Sequence, residues 1–309
     1  MKKAFVFPGQ GAQFVGMGKD LYDNIPEAKE LFERANEILG FRITDIMFAG
    51  TDEELKQTRV TQPAIFLHSV ILAKSLGAAF VPDMAAGHSL GEFSALVATG
   101  ALSFEEGLKL VSKRALAMQR ACEINPSTMA AVLALPDETV ERICAETEGV
   151  VVPANYNCPG QLVIGGDKAA VDKAAELALA AGARRCLPLN VSGPFHTSLM
   201  HPAGDALREK FSATRFASMQ LPVLFNCLGH EMAETDTIAA LLEKQVQSGV
   251  RWEATIRRLV ELGVDTAIEI GPGRVLTGFV KKTVGSAISC YPVETATQLQ
   301  QLLRTMKGA

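Results

Sequence analysis

The chain of 309 residues has one tryptophan, three tyrosines and six cysteines, and the closest cysteine pair, Cys144 and Cys158, is 14 residues apart. With no C-x-x-C pair, zinc and disulfide frameworks are both disfavoured, and reduced thiols in a cytoplasmic protein are expected. No run of Lys and Arg exceeds two residues, and 30 basic against 34 acidic side chains leave a net charge of −4. A basic stripe for nucleic acid is therefore missing. Long hydrophobic runs are missing too. The two longest uncharged stretches, 149–166 and 186–204, are broken by Pro153, Pro159, Pro188 and Pro194, whereas a spanning helix needs about 20 mostly apolar residues. Met1-Lys2-Lys3 could open a signal peptide, but the apolar stretch Ala4–Phe7 stops at Pro8-Gly9, too short for a signal core. What is present is an ordinary globular mixture, 48% apolar and 21% charged. At roughly 150 residues per domain, that length suggests two folding units.

Strand-like and helix-like segments alternate over most of the chain, which favours an α/β fold with a mainly parallel sheet. Lys3–Phe7 reads as a first strand closed by Pro8-Gly9-Gln10-Gly11. Pro63 is placed at the first residue of a helix over 63–76, where its missing N–H costs nothing. Met84–Gly87 reads as a short strand, Leu90–Thr99 as a helix, and 104–122 as a helix with Leu108, Val111, Ala115 and Met118 on one stripe. From Met129 to Leu189 the order is βαβ-βαβ, the ferredoxin-like pattern. Asn125-Pro126 and Ser192-Gly193-Pro194 are the expected hinges, so 126–191 is expected to be a small subdomain inserted into a core of 1–125 and 192–309.

The sharpest chemical signal is Gly87-His88-Ser89-Leu90-Gly91, a G-x-S-x-G between a short strand and a helix. A nucleophile elbow uses this pattern because its serine occupies a cramped turn that only small neighbours let the backbone pass. An ordinary glycine-rich turn is the competing reading. Serine needs a base, and of the five histidines His196 is the best placed, following a strand end and a rigid Gly-Pro turn. Acyl transfer also needs an oxyanion hole. The N–H of Leu90 and one from the loop Pro8-Gly9-Gln10-Gly11 suit it, although that loop reads equally well as a plain turn. Arg114 is flanked by Val111, Ala115 and Met118 and so borders a buried face, where a solvated arginine is the usual alternative. Gly271-Pro272-Gly273 lacks the third glycine of a dinucleotide fingerprint and reads as a turn.

Five segments occur in order: Phe7-Pro8-Gly9-Gln10-Gly11-Ala12-Gln13, Thr61-Gln62-Pro63-Ala64, Gly87-His88-Ser89-Leu90-Gly91-Glu92, Gly193-Pro194-Phe195-His196-Thr197 and Ile270-Gly271-Pro272-Gly273. Together they resemble the malonyl-CoA:acyl carrier protein transacylases, the acyltransferase family of fatty-acid synthesis, over about residues 3–282. The resemblance implies an α/β-hydrolase-like core with a ferredoxin-like insert. It implies Ser89 as nucleophile, His196 as general base, Gln10 and Leu90 as oxyanion donors, and Arg114 as the group that binds the malonyl carboxylate. Gln245 would orient His196 through its backbone carbonyl, and Met118 and Phe195 would line the acyl pocket. Ser248-Gly249 stands where the family often has Asn-Pro, a departure that loosens the loop beyond Gln245. Arg274, Lys281 and Lys282 are candidate contacts for the carrier protein or CoA, with solvated charge as the alternative. No metal and no cofactor are implied, since malonyl-CoA is a substrate and the partner, holo acyl carrier protein, brings the phosphopantetheine. A monomer in the cytoplasm, with neither nucleic acid nor membrane as partner, is expected.

Overall fold

The computed structural model describes residues 1–77, 81–124, 126–191 and 193–307. Its strands are β1 (Lys3–Phe7), β2 (Met84–Gly87), β3 (Ser127–Leu133), β4 (Val151–Cys158), β5 (Gln161–Asp167), β6 (Arg185–Pro188), β7 (Val223–Phe225), β8 (His230–Glu231), β9 (Thr266–Ile270) and β10 (Ser289–Val293). The chain divides into two compact units, one of Met1–Ala115, Phe216–Phe225 and Leu259–Ala309, the other of Leu116–Arg215 and Asn226–Arg258. The predicted hinge residues Asn125 and Ser192 lie outside the described residues. The fold is α/β, an α/β-hydrolase-like core with a mainly parallel sheet and a ferredoxin-like βαββαβ subdomain.

In the first unit the strands run in the order β10-β9-β1-β2-β7, with every neighbouring pair parallel. β1 is buried from Ala4 to Phe7, as an uninterrupted apolar run in a sheet covered on both faces requires. Phe7 pairs with Gly87, so β1 and β2 end level and their loops leave the same edge side by side. In open parallel sheets, this carboxyl edge is where ligands bind. β2 is Met-Ala-Ala-Gly because the helix Gly91–Ala98 lies hard against it: a methyl on Gly87 would overlap the backbone of Gly91.

The sheet of the second unit has the order β4-β5-β3-β6, all antiparallel. Helices Asp137–Glu146 and Lys168–Ala180 pack on it, burying Val132, Val140, Leu162, Ile164, Val171 and Ala174. β4 shifts register between Pro153 and Asn155, and Val250 pairs in parallel with Asn155 at that irregularity. Bulges commonly re-aim a strand in this way.

Several elements differ from the sequence reading. Pro63 lies within a helix that runs from Thr58 to Ser75, not at its start. The Val60 and Thr61 N–H groups already bond the Gln57 carbonyl, so a turn exists before the proline, which merely forgoes one bond to the Arg59 carbonyl. The first unit also carries helices Lys19–Asn24, Pro26–Leu39, Ile43–Ala49 and Asp52–Lys56, which the sequence reading did not assign. Lys19–Asn24, Ile43–Ala49 and Asp52–Lys56 are too short to show a period, whereas Pro26–Leu39 buries Ala28, Phe32 and Ala35 at helical spacing. Among the described residues, no helix is long and apolar enough to cross a membrane.

Candidate active site

Ser89 has φ +52°, a left-handed conformation uncommon outside glycine. Its neighbours explain how it is held there. His88 N–H donates to the Phe7 carbonyl at 2.9 Å, and Gly91 N–H donates to the His88 carbonyl at 2.9 Å. A methyl on Gly91 would overlap the Phe7 carbonyl, and one on Gly9 would meet the His88 carbonyl oxygen at 2.5 Å. Glycines at 87, 91 and 9 thus let three backbones converge under one strained serine, which is the geometry of an elbow and not of an ordinary turn. The helix beginning at Gly91 points its N-terminus at this turn.

The loop after β1 stands beside the elbow. Gln10 is partly exposed, and its side-chain Nε2 donates to Thr58 Oγ1 at 3.3 Å. Among the described residues, the backbone N–H groups of Gln10 and Leu90 donate to no protein acceptor, so both are available to an oxygen ligand. The turn at Gly271 supports this loop: a methyl there would meet Ser69 Oγ at 2.5 Å and Pro8 Cγ at 2.6 Å.

Arg114 is fully buried on the helix Phe104–Cys122. Its Nη1 donates to Gln62 Oε1 at 2.7 Å, its Nη2 donates to Ser89 Oγ at 3.3 Å, and its guanidinium lies 5.5 Å from the Phe93 ring centre. Burial lowers its pKa to about 10, against the opposing influence of the Glu92 charge. It therefore stays cationic at neutral pH. Charge-assisted bonds from a guanidinium to a carboxylate are among the stronger polar interactions, and this one is presented at the nucleophile.

In the second unit, His196 is buried with φ +61°. Its Nδ1 lies 2.8 Å from the backbone carbonyl of Gln245. A carbonyl only accepts, so Nδ1 carries the proton and Nε2 keeps its lone pair for use as a base. That carbonyl is available because Gln245 sits in the last turn of helix Ile238–Gln247, where carbonyls lack intrahelical partners. The negative end of the helix dipole also favours an imidazolium. The loop beyond is pinned despite Gly249. Val250 N–H donates to the Ala154 carbonyl, and the Val250 carbonyl accepts from Tyr156 N–H, both at 2.9 Å.

Phe195 and Met118 are buried in the second unit. Arg274, Lys281 and Lys282 are exposed along the helix Val275–Val284 and its cap, and among the described residues none of them is paired with an acid. The other histidines lie elsewhere. His68 is buried with Nε2 on the Glu294 carbonyl, His88 lies 6.4 Å from Phe279 ring to ring, and His201 and His230 are exposed. Sequence reasoning gave no role to Gln62, Glu92 or Thr58. Gln62 and Glu92 stand inside quoted motifs, and their burial was the missing signal.

A family model described as acyl transferase domain matches residues 4–308. The chain is 43% identical over 310 residues to the malonyl CoA-acyl carrier protein transacylase of Bacillus subtilis, covering 99% of this chain and 98% of that one. Among solved structures, it is similar to a malonyl-transacylase in complex with its type II PKS acyl-carrier protein, with TM-score 0.95, 38% identity and coverage of 99% and 100%. It is likewise similar to the malonyl CoA-acyl carrier protein transacylase of Clostridium perfringens, with TM-score 0.94, 39% identity and coverage of 100% and 98%.

Proposed function

The chain belongs to the acyl transferase domain family and is an acyltransferase; from that premise we propose that it moves malonyl from malonyl-CoA to the phosphopantetheine thiol of an acyl carrier protein. The observation that carries this reading is the buried Arg114 guanidinium on the Ser89 hydroxyl. A pocket that selected an uncharged acyl group would gain nothing from a buried cation beside the nucleophile, whereas a free carboxylate on the acyl chain offsets its desolvation. The relatives named as malonyl transacylases, and the carrier-protein complex among them, support the same choice of donor and acceptor.

The proposed mechanism is ping-pong. His196 Nε2 takes the Ser89 proton while Oγ attacks the thioester carbonyl, and the N–H groups of Gln10 and Leu90 hold the resulting oxyanion. The carbon–sulfur bond breaks, the imidazolium returns its proton to the departing sulfur, and CoA leaves a malonyl-serine ester. The carrier thiol then gives its proton to His196 and attacks the ester. The proton returns to Ser89 Oγ as malonyl carrier protein departs. Arg114 holds the malonyl carboxylate in both halves, Met118 and Phe195 bound the acyl group, and Gln245 keeps the histidine tautomer fixed. Arg274, Lys281 and Lys282 give an acidic carrier protein a local attraction. The reaction needs no resident cofactor, and the enzyme acts as a monomer.

Intact-mass spectrometry tests this directly. Incubation with malonyl-CoA should add one malonyl group, holo carrier protein should remove it, and Ser89→Ala should remain unmodified. A wild-type protein that never acquires the adduct would exclude the mechanism.

A further inference from the structure

His196 has to meet two demands at once: its ring must reach the Gln245 carbonyl, and its backbone must stay at φ +61°. A left-handed conformation is uphill for a residue with a side chain, and it persists only where the surroundings over-determine it. Gln245 answers the first demand. The second is answered by Thr197, a residue to which the mechanism gives no task. Its hydroxyl donates to the Pro194 carbonyl at 2.7 Å and accepts from the Leu199 N–H at 3.3 Å. One oxygen, as donor and as acceptor, thus ties the chain two residues before His196 to the chain three residues after it. The Met200 N–H donates to the Thr197 carbonyl at 3.0 Å, which closes the short 3₁₀ turn Ser198–Met200 onto the same residue.

The other end of Thr197 rests on the sheet. The residue is 1% exposed, and a Cβ on Gly165 would lie 3.1 Å from the Thr197 methyl carbon, with the Met129 side chain next at 3.4 Å. Gly165 belongs to β5, an inner strand paired through this residue with Met129 of β3 and with Val152 of β4. A glycine inside a strand weakens it and commonly marks the close approach of another part of the structure; here the approaching group is the Thr197 methyl. Resting on the reading of His196 as the base, we propose that Thr197 is a positioning residue for acyl transfer: its hydroxyl fixes the strained turn that carries His196, and its methyl seats that turn against Gly165 of β5. A base must stand within hydrogen-bond reach of the proton it takes. A small displacement of this turn is therefore felt in the chemical step and not in the binding of the thioester.

The test is rapid-quench mass spectrometry of Ser89 loading from malonyl-CoA, in which the amplitude counts folded sites and the maximal rate constant reports their alignment. Thr197→Val keeps the shape and removes both hydrogen bonds. It should slow the maximal rate constant roughly tenfold or more, with the amplitude and the half-saturating malonyl-CoA concentration unchanged. Thr197→Ser, which keeps the hydroxyl, should load at close to the wild-type rate. Gly165→Ala meets Thr197 and Met129 and no reacting group, yet it should also slow loading. The double variant G165A/T197S, which removes the methyl that the new one meets, should recover the rate. A wild-type rate constant for folded Thr197→Val or for Gly165→Ala overturns the proposal. So does a slow Gly165→Ala that Thr197→Ser does not relieve, or a loss confined to the amplitude, which a merely structural residue would give. His196→Ala keeps the two ideas apart: undiminished loading by that variant defeats the base reading itself, whereas its loss beside a wild-type Thr197→Val defeats the positioning alone. Should Thr197→Val fail to fold, Gly165→Ala and its double variant decide.

Discussion

Arg114 gives two of its donors to protein partners before any substrate is present, one to Gln62 and one to Ser89 Oγ. The bond to Ser89 is the longer, at 3.3 Å against 2.7 Å, so in the proposed reaction it is the one an arriving carboxylate would displace. Replacing Arg114 with Ala should cost about 1.5–3 kcal/mol for each charged bond lost, or roughly 10- to 150-fold in malonyl loading. Loading from acetyl-CoA, which has no carboxylate to lose, should be spared. Stopped-flow acylation with both thioesters measures the difference, and equal losses would remove the carboxylate role. At this scale the sequence was informative where chemistry is written into a motif. Ser89 was marked by its flanking glycines and His196 by its Gly-Pro turn. The burial of Arg114 was visible only as apolar neighbours, and Glu92 not at all, because a charge beside a helix start usually means a solvated cap.

The elbow is a property of two elements and not of one residue. β2 and the helix Gly91–Ala98 approach so closely that Gly87 and Gly91 leave no room for a side chain, and the Phe7 carbonyl at the end of β1 closes the third side. A single methyl at Gly91 must separate strand and helix. Gly91→Ala is therefore expected to destabilise by about 3 kcal/mol or more, seen as a lower urea midpoint, with Ser89 acylation lost alongside it. A midpoint within error of wild type would refute the close approach. Elements were legible where their apolar runs were clean: Lys3–Phe7 and Met84–Gly87 match the reading residue for residue. They were not where a local rule met a tertiary one. Pro63 marks a helix start by its chemistry, but the helix Thr58–Ser75 is so deeply buried that packing carries it across the missing bond.

For the molecule as a whole, His68 and Glu33 both contribute stability that acid removes, while burial raises the Asp137 pKa to about 6, which acts in the opposite sense. His68 is 1% exposed, and burial holds its pKa below the ordinary 6.5. The unfolded chain therefore binds a proton that the folded chain resists. That contribution is complete above 6.5 and is lost as pH falls below it. Glu33 follows lower down. Hydrogen bonds from Tyr22 and then Arg42 draw its pKa from 4.5 to about 2, so its contribution is complete above 4.5 and fades toward 2. Urea unfolding of wild type and variants across this range should isolate these contributions: His68→Asn should change the pH slope near and below 6.5, and Glu33→Gln the slope below 4.5. An unchanged slope in either variant would reassign that contribution. A net charge of −4 likewise averages over unlike regions, since Arg274, Lys281 and Lys282 present a positive strip that no total reveals. The order β10-β9-β1-β2-β7 has a consequence for synthesis on the ribosome. β1 is made first and buries nearly all its side chains, yet its two neighbours begin at Met84 and Thr266. At roughly 5–20 residues per second, the second of them follows about 13–50 s later. For that interval one edge of an apolar strand waits for a neighbour not yet translated, and the nascent chain is a client for any chaperone at the exit tunnel.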